Sequence, residues 1–463
     1  MANIKLPDGP KSPQFLQLLQ WIARPLEYME TSAESFGDIF TARWGRLKPF
    51  VMLSQPQGIQ ELLTTDPRQF DSGRGNGILR PLLGDYSMIL LDGDRHQRQR
   101  QLLTPPFHGE RMKAYGQLIC DVTLAVMSQQ QIGEPFSVRS AMQEISLRVI
   151  LKAVFGLDEG ERLQQLRNLL RTMLDSVGSP ISSSLLFFPL LQKDFGSWSP
   201  WGRFLRQQQQ IDQLIYAEIA ERREQTGSSG SDILTLLMSA VDAEGQPMTN
   251  QELRDELLTL LIAGHETTAS AMTWALYWIH TLPEVHDQLI AELETLSDFS
   301  DPIAVARLPY LNAVCSETLR IYPVAMLTLP RITKCPVKLM GYEFEPETLL
   351  VGCIYLTHRR EDIYPEPKRF KPERFLERQF SPYEYLPFGG SNRRCIGAAF
   401  ALFEMKVALA TIVSHWQLTM ADTRPVRPVR RGVTLGPPSS MQMILTAQRQ
   451  DKERSPQTVA SSI

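Results

Sequence analysis

The chain has 463 residues, 43% of them hydrophobic and 21% charged, an ordinary globular balance that excludes fibrous and broadly disordered classes. A net charge of -3 argues against nucleic acid or an anionic membrane surface as the main partner. The five cysteines form no C-x-x-C pair, and there is neither a long uninterrupted apolar run nor a signal-peptide core, so a disulfide framework, a zinc ribbon and a membrane span are not expected and a cytoplasmic location is.

Taken in chain order, residues 1 to 13 read as an extended arm, followed by one amphipathic helix from about Pro13 to Phe36 and by β-like runs at Ile39 to Trp44 and Pro49 to Ser54. Asp71 to Asp94 is glycine-rich with little periodicity, which predicts a long loop with a function. Its Gly73, Gly75 and Gly77 lack the spacing and the strand-to-helix setting of a dinucleotide fingerprint. Helical patterns dominate from Arg95 to Ala291, interrupted by an apolar loop at Val177 to Pro200 and a Gly/Ser linker at Gln225 to Asp232. After Pro323 come short β-runs and proline-punctuated coil, then an apolar helix from Ala398 to Trp416, then a polar tail from about Ala447 that is expected to be disordered. One mainly α domain with a small β-rich lobe is predicted across residues 1 to 463.

The longest helix predicted, Thr249 to Thr281, opens on the capping box Thr249-Asn250-Gln251-Glu252. In its middle, Ala263-Gly264-His265-Glu266-Thr267-Thr268 is poor helix material, which suggests a local opening toward a ligand. Glu317-Thr318-Leu319-Arg320 places an acid and a base on one helix face. His96 and Arg100 share a face at i, i+4. Cys395 sits where unpaired amide N–H groups at a helix start favour a thiolate able to bind metal, beside the cation Arg393.

The run Phe388-Gly389-Gly390-Ser391-Asn392-Arg393-Arg394-Cys395-Ile396-Gly397 resembles the cysteine-ligand loop of the cytochrome P-450 superfamily, with Phe388, Arg393, Cys395 and Gly397 matching and Ser391 standing where the family usually has glycine. The hexad at 263 to 268 resembles the family's distal-helix motif, and Glu317-x-x-Arg320 with Pro372-Glu373-Arg374-Phe375 resembles its Glu-x-x-Arg and partner motifs. The resemblance implies the P-450 fold, haem b with Cys395 as axial iron ligand, Thr267 at the oxygen site and Glu266 in proton relay. It further implies His96, Arg100, Arg331 and Arg393 at the haem propionates, and Glu317, Arg320 and Arg374 as a structural lock, with Arg95 and Arg98 as surface charges.

The activity implied is monooxygenation, with O2 as cosubstrate. Glu266 and Thr267 speak against a peroxide-driven enzyme, a rearranging isomerase and a haem sensor. With no flavin or ferredoxin sequence following Ile463, electrons are expected from NAD(P)H through a separate ferredoxin or flavodoxin with its reductase, docking on Arg98, Arg111, Lys113, Arg394 and Lys406. Leu79, Leu82, Leu83, Leu185 to Phe188, Leu327, Leu329 and Met441 fall in segments that line the pocket in similar proteins and imply an apolar ligand. The opening Lys5 to Lys11 is similar to a cyanobacterial branch linked to fatty acids, alkanes and terpenoids. A fatty acid is the first expectation, with Arg80 a candidate for its carboxylate.

Overall fold

The computed structural model describes residues 6–44, 47–107, 111–156, 160–178, 192–224, 232–296 and 301–449. Most of the apolar segment at 177 to 200, nearly all of the linker at 225 to 232 and the tail beyond 449 lie outside the described residues, as do the lining positions 185 to 188. The first predicted helix is two helices, Gln14–Ala23 and Pro25–Phe36, separated at Arg24. Pro25 has no N–H to donate and its ring clashes with the carbonyl four residues back, so it starts a helix and cannot continue one.

The strands are β1 Ile39–Ala42, β2 Phe50–Leu53, β3 Phe70–Asp71, β4 Pro135–Ser137, β5 Arg331–Thr333, β6 Val337–Leu339, β7 Tyr342–Phe344, β8 Leu349–Gly352, β9 Trp416–Met420, β10 Val429–Arg431, β11 Thr434–Gly436 and β12 Gln442–Gln448. The β-rich lobe is a sheet of order β1-β2-β8-β5-β3, in which only β2 and β8 run parallel. β8 is buried along its whole length, and its Leu-Leu-Val-Gly run is apolar without alternation, as a strand covered on both faces should be. A second sheet, β4-β12-β9, closes against the helical body. Ala447 and Gln448, expected in the tail, pair with Gln417 and Trp416.

The helical body is built round Asn250–Thr281, here the central helix. Its predicted capping box is present, with Glu252 N–H donating to Thr249 Oγ1 at 3.2 Å and Thr249 N–H to Glu252 Oε2 at 2.8 Å. The flanking helix Val138–Phe155 packs along it, and the cysteine helix Ala398–His415 packs against the central helix and against Arg111–Met127. The cysteine helix is apolar all round, as a core helix must be. Among the described residues it alone is long and apolar enough to cross a membrane, and most of it is buried inside the fold.

The glycine-rich loop after Asp71 is ordered by short helical turns at Ser72–Gly75, Gly77–Leu79 and Arg80–Leu83 and then by a strap, Gly84–Leu91, laid against the central helix. At Gly84, with φ +85°, a Cβ would fall 2.3 Å from the Asp255 carboxyl group, so no other residue allows that approach.

Candidate active site

The cysteine loop is held from behind. Glu317, Arg320 and Arg374 meet as predicted: Arg320 donates Nε to Glu317 Oε2 at 2.6 Å and Nη2 to Oε1 at 2.7 Å, and Arg374 donates Nε to Oε1 at 3.1 Å. The Glu317 and Arg320 side chains are 0% exposed. Spare guanidinium donors go to backbone carbonyls: Arg320 to His358 and Pro367, Arg374 to Pro365 and Glu366. His358 extends the lock, for its Nε2 accepts the Leu386 N–H at 3.0 Å, and burial holds its pKa down at about 3. That histidine carried no motif and went unread in the sequence.

From Leu386 the chain turns through Phe388 to Cys395, whose N–H donates to the Phe388 carbonyl at 3.0 Å. Ser391 occupies the left-handed region at φ +58°, as does Gly389 at +66°. The strain of the glycine-to-serine departure is therefore carried by Ser391 itself, since Gly389 adopts the left-handed region without penalty and Gly390 is extended. Cys395 lies ahead of the cysteine helix, not within its first turn, since the N-cap is Gly397. Cys395 itself is exposed. Burial pushes the thiol up, while the Gly397 N–H and the cations Arg100 and Arg394 pull it back.

The four residues expected at the propionates, three arginines and His96, come together beside this loop. His96 and Arg331 are buried, and the Arg393 side chain is 8% exposed. Arg100 donates to the Arg394 carbonyl at 2.8 Å. Burial first, then mutual repulsion, lowers three of them: His96 to about 4, with Arg393 and Arg100 opposing its charge, Arg331 to about 10, with Arg393 opposing, and Arg393 to about 10, with Arg100 opposing. Each keeps a buried nitrogen with no partner among the described residues: His96 Nε2, Arg331 Nη2 and Arg393 Nε. Asp92 answers part of this charge, accepting from Arg393 Nη2 at 2.9 Å and from the Gly73 and Arg74 N–H groups at 2.7 and 3.0 Å. The signal for Asp92 was its place before the Gly93–Leu103 helix, where it holds the neighbouring turn and does not cap the helix with its side chain.

Like charges with orphaned donors in one buried place call for an anion. Haem fits: it is flat, it takes a thiolate on its iron and it ends in two propionate carboxylates. The donors to hold them would be His96, Arg100, Arg331 and Arg393.

The opposite wall is the central helix. Between the buried stretches Leu257–Leu261 and Thr268–Tyr277, Ala263 is exposed and Gly264, Glu266 and Thr267 are partly so. The predicted opening there is not a break, because the helix continues without interruption and Thr267 returns its hydroxyl to the Ala263 carbonyl. Glu266 is not left to solvent alone. The flanking helix takes both its oxygens, Arg139 Nη2 donating to Oε1 at 2.7 Å and Gln143 Nε2 to Oε2 at 2.8 Å. Neither donor was legible from the motif, since both lie more than a hundred residues away in sequence. His265 is buried.

Other expectations change. Arg98 is not a surface charge but bridges Asp242 at 2.5 Å and Glu252 at 2.8 Å, which ties its helix to the capping box. Lys406 is half-buried on the Ala306 carbonyl, Arg111 has no described side chain, and Lys113 and Arg394 remain exposed. Arg80 pairs with Asp85 at 3.3 Å, both well exposed.

The chain matches the family Cytochrome P450 over residues 7–444. It is 35% identical over 437 residues to cytochrome P450 135B1 of Mycobacterium tuberculosis, covering 94% of this chain and 90% of that one. Cytochrome P450 135A1 of the same species is 31% identical over 457 residues, 96% of each chain. Among solved structures, retinoic acid bound cyanobacterial CYP120A1 has a TM-score of 0.83 at 22% identity, covering 96% of this chain and 100% of that one. The cytochrome P450DA heme domain has a TM-score of 0.81 at 23% identity, covering 96% and 98%. The chain belongs to the cytochrome P450 family, and with it to the haem-iron monooxygenases that take electrons from a reductase.

Proposed function

We propose that this P450 oxidises a long apolar molecule, a fatty acid, alkane or terpenoid, with Cys395 as the axial sulfur, His96, Arg100, Arg331 and Arg393 on the propionates, and Thr267 and Glu266 handling protons. The observation that carries the site assignment is the set of orphaned donors on His96, Arg331 and Arg393 beside an accessible cysteine. Phe388 supports the sulfur by accepting the Cys395 N–H, and Gly397 by offering its own N–H to the sulfur.

Haem, when bound, supplies activation of O2 and insertion of one oxygen atom into a C–H bond. The chain supplies the rest. Arg139 and Gln143 each occupy one acceptor site on a Glu266 oxygen, which fixes the carboxylate and leaves a second lone pair on each oxygen to take up and pass a proton. Thr267 keeps its hydroxyl proton on the Ala263 carbonyl and its oxygen on the partly exposed face.

The substrate class rests on Leu79, Leu327 and Leu329, partly exposed apolar side chains in segments that line the pocket in similar proteins. The retinoic acid named for the cyanobacterial structure is of this apolar, terpenoid kind. Electrons come from NAD(P)H through a ferredoxin or flavodoxin with its reductase, the exposed Lys113 and Arg394 offering it charge, and the protein works in the cytoplasm. Optical titration with fatty acids, alkanes, terpenes and steroids tests the ligand class. A shift in the haem spectrum is expected with a member of the first three, and a response confined to steroids rejects the class. Cys395→Ser should abolish the red-shifted Soret band of the reduced carbon monoxide complex, and a band that persists gives the ligand role to another residue.

A further inference from the structure

The strap Gly84–Leu91 lies between the central helix and the cysteine loop, and side chains hold it from both sides. From the central helix, Asp255 Oδ2 accepts the Tyr86 N–H at 2.8 Å, Thr259 donates its hydroxyl to Ser87 Oγ at 2.8 Å, and Glu256 Oε1 accepts the Met88 N–H at 2.8 Å. From the cysteine loop, Arg393 donates Nη1 to the Met88 carbonyl at 3.1 Å and Nη2 to the Leu91 carbonyl at 2.6 Å. Met88 is thus gripped at its N–H by one wall of the site and at its carbonyl by the other.

Glu256 is 0% exposed, its Oε2 has no partner, and no ion pair reaches it among the described residues. Two acids of its own helix face it with like charge, Asp255 and Glu252, each already paired, with Arg254 and Arg98. Burial, then those neighbours, holds its carboxyl group well above the usual carboxylate range, and the Met88 N–H pulls it back only in part. Helix packing needs no acid here, and an apolar side chain would avoid the cost of a half-satisfied polar group in the core. What an acid gives that leucine cannot is the acceptor for Met88.

We infer that Glu256 is a positioning residue for the cysteine loop: through Met88 it fixes where Arg393 stands, and so where the unpartnered Nε of Arg393 meets a carboxylate of the cofactor. The identity of that carboxylate rests on the haem reading above, whereas the grip on the strap does not. Neither Glu256 nor Met88 belongs to a motif of the cysteine loop or of the central helix's exposed stretch.

The test uses the full chain as purified, with Glu256→Leu and Glu256→Gln. Amide hydrogen exchange is followed by mass spectrometry across residues 84–91 and, as the reference, 268–277, and haem retention by transfer to excess apomyoglobin. Glu256→Leu should speed exchange in the strap about tenfold and haem loss by a similar factor, the scale of one buried hydrogen bond, with the reference stretch unmoved. Glu256→Gln, which matches a neutral acid in shape and keeps an acceptor, should restore both. In an Arg393→Gln background the effect of Glu256→Leu on haem loss should vanish, because the route is already cut. The inference is overturned by equal acceleration in strap and reference, by Glu256→Gln behaving like leucine, or by an undiminished haem effect without Arg393. A wild-type chain that holds no haem defeats the haem reading instead, and the exchange measurement still decides the grip.

Discussion

Replacing Glu317 by alanine removes the centre of the lock behind the cysteine loop. Four donors lose their acceptor: Nε and Nη2 of Arg320, Nε of Arg374 and the Lys371 N–H. Two guanidiniums then remain inside the protein, the Arg320 side chain 0% and the Arg374 side chain 7% exposed, with only backbone carbonyls as partners. Removing one member of a buried ion pair costs about 3 to 5 kcal/mol, because the charge left behind is uncompensated. Against a total stability of about 5 to 15 kcal/mol, that is a large share. The damage should also be directional. Tyr385 donates its hydroxyl to the carbonyl of Ser316, next to Glu317, and Leu386 donates to His358, whose carbonyl takes Arg320. The cysteine loop should therefore loosen before the rest of the body. Urea unfolding followed in parallel by the Soret band and by tryptophan fluorescence should show the Soret transition moving to lower urea, ahead of the fluorescence. A loss below about 1 kcal/mol, with coincident transitions, would refute the reasoning.

Ser391→Gly should raise the unfolding midpoint slightly. Left-handed backbone costs a non-glycine residue about 1 to 2 kcal/mol, against about 0.5 to 1 kcal/mol for the extra freedom of glycine in the unfolded chain; a fall in stability would mean that the hydroxyl holds the turn. Glu404 is buried in the cysteine helix, and burial raises its carboxyl from 4.5 to about 8. The folded state then holds a proton that the unfolded state has lost, so stability is greatest below pH 4.5 and falls as pH rises toward about 8. Measured against Glu404→Gln, the wild type should lose about 2 kcal/mol between pH 6 and 7.5, and parallel pH curves for the two proteins would reject the assignment. Thr267→Ala should keep haem and substrate binding while diverting NAD(P)H electrons to peroxide, and unchanged coupling of electron use to product would remove Thr267 from proton handling.

Chemistry written in consecutive residues was legible in the sequence. The capping box, the acid and base one turn apart at Glu317 and Arg320, and the loop around Cys395 each lie within one segment, where spacing maps directly onto a helix face or a turn. Partners from distant segments were not legible. Asp92, His358, Arg139 and Gln143 reach their counterparts only once the chain is packed; the one local mark, the place of Asp92 before a helix, points to a side-chain cap that it does not make. The strap shows the same limit from the other side: Gly84 to Leu91 has no periodicity because its order is imposed by Asp255, Glu256 and Thr259, not by its own residues. The broken first helix is a different case, since Pro25 stood in plain view and local chemistry sufficed to place the break.

The five-stranded sheet also sets a timetable. β2 pairs with β8, Phe50 against Leu349, so an early strand has no neighbour on that edge until the ribosome has passed far beyond it. At synthesis rates of about 5 to 20 residues per second, the wait is roughly 15 to 60 s. Throughout it the nascent chain carries a short apolar β-hairpin with one open edge, the kind of surface that recruits other chains. Arg331, on β5, emerges shortly before β8 and Cys395 well after it, so the cofactor site proposed above is complete only when nearly the whole polypeptide exists. Haem capture is thereby the closing event of folding, and truncations that stop short of Leu349 should gather in the insoluble fraction with no colour.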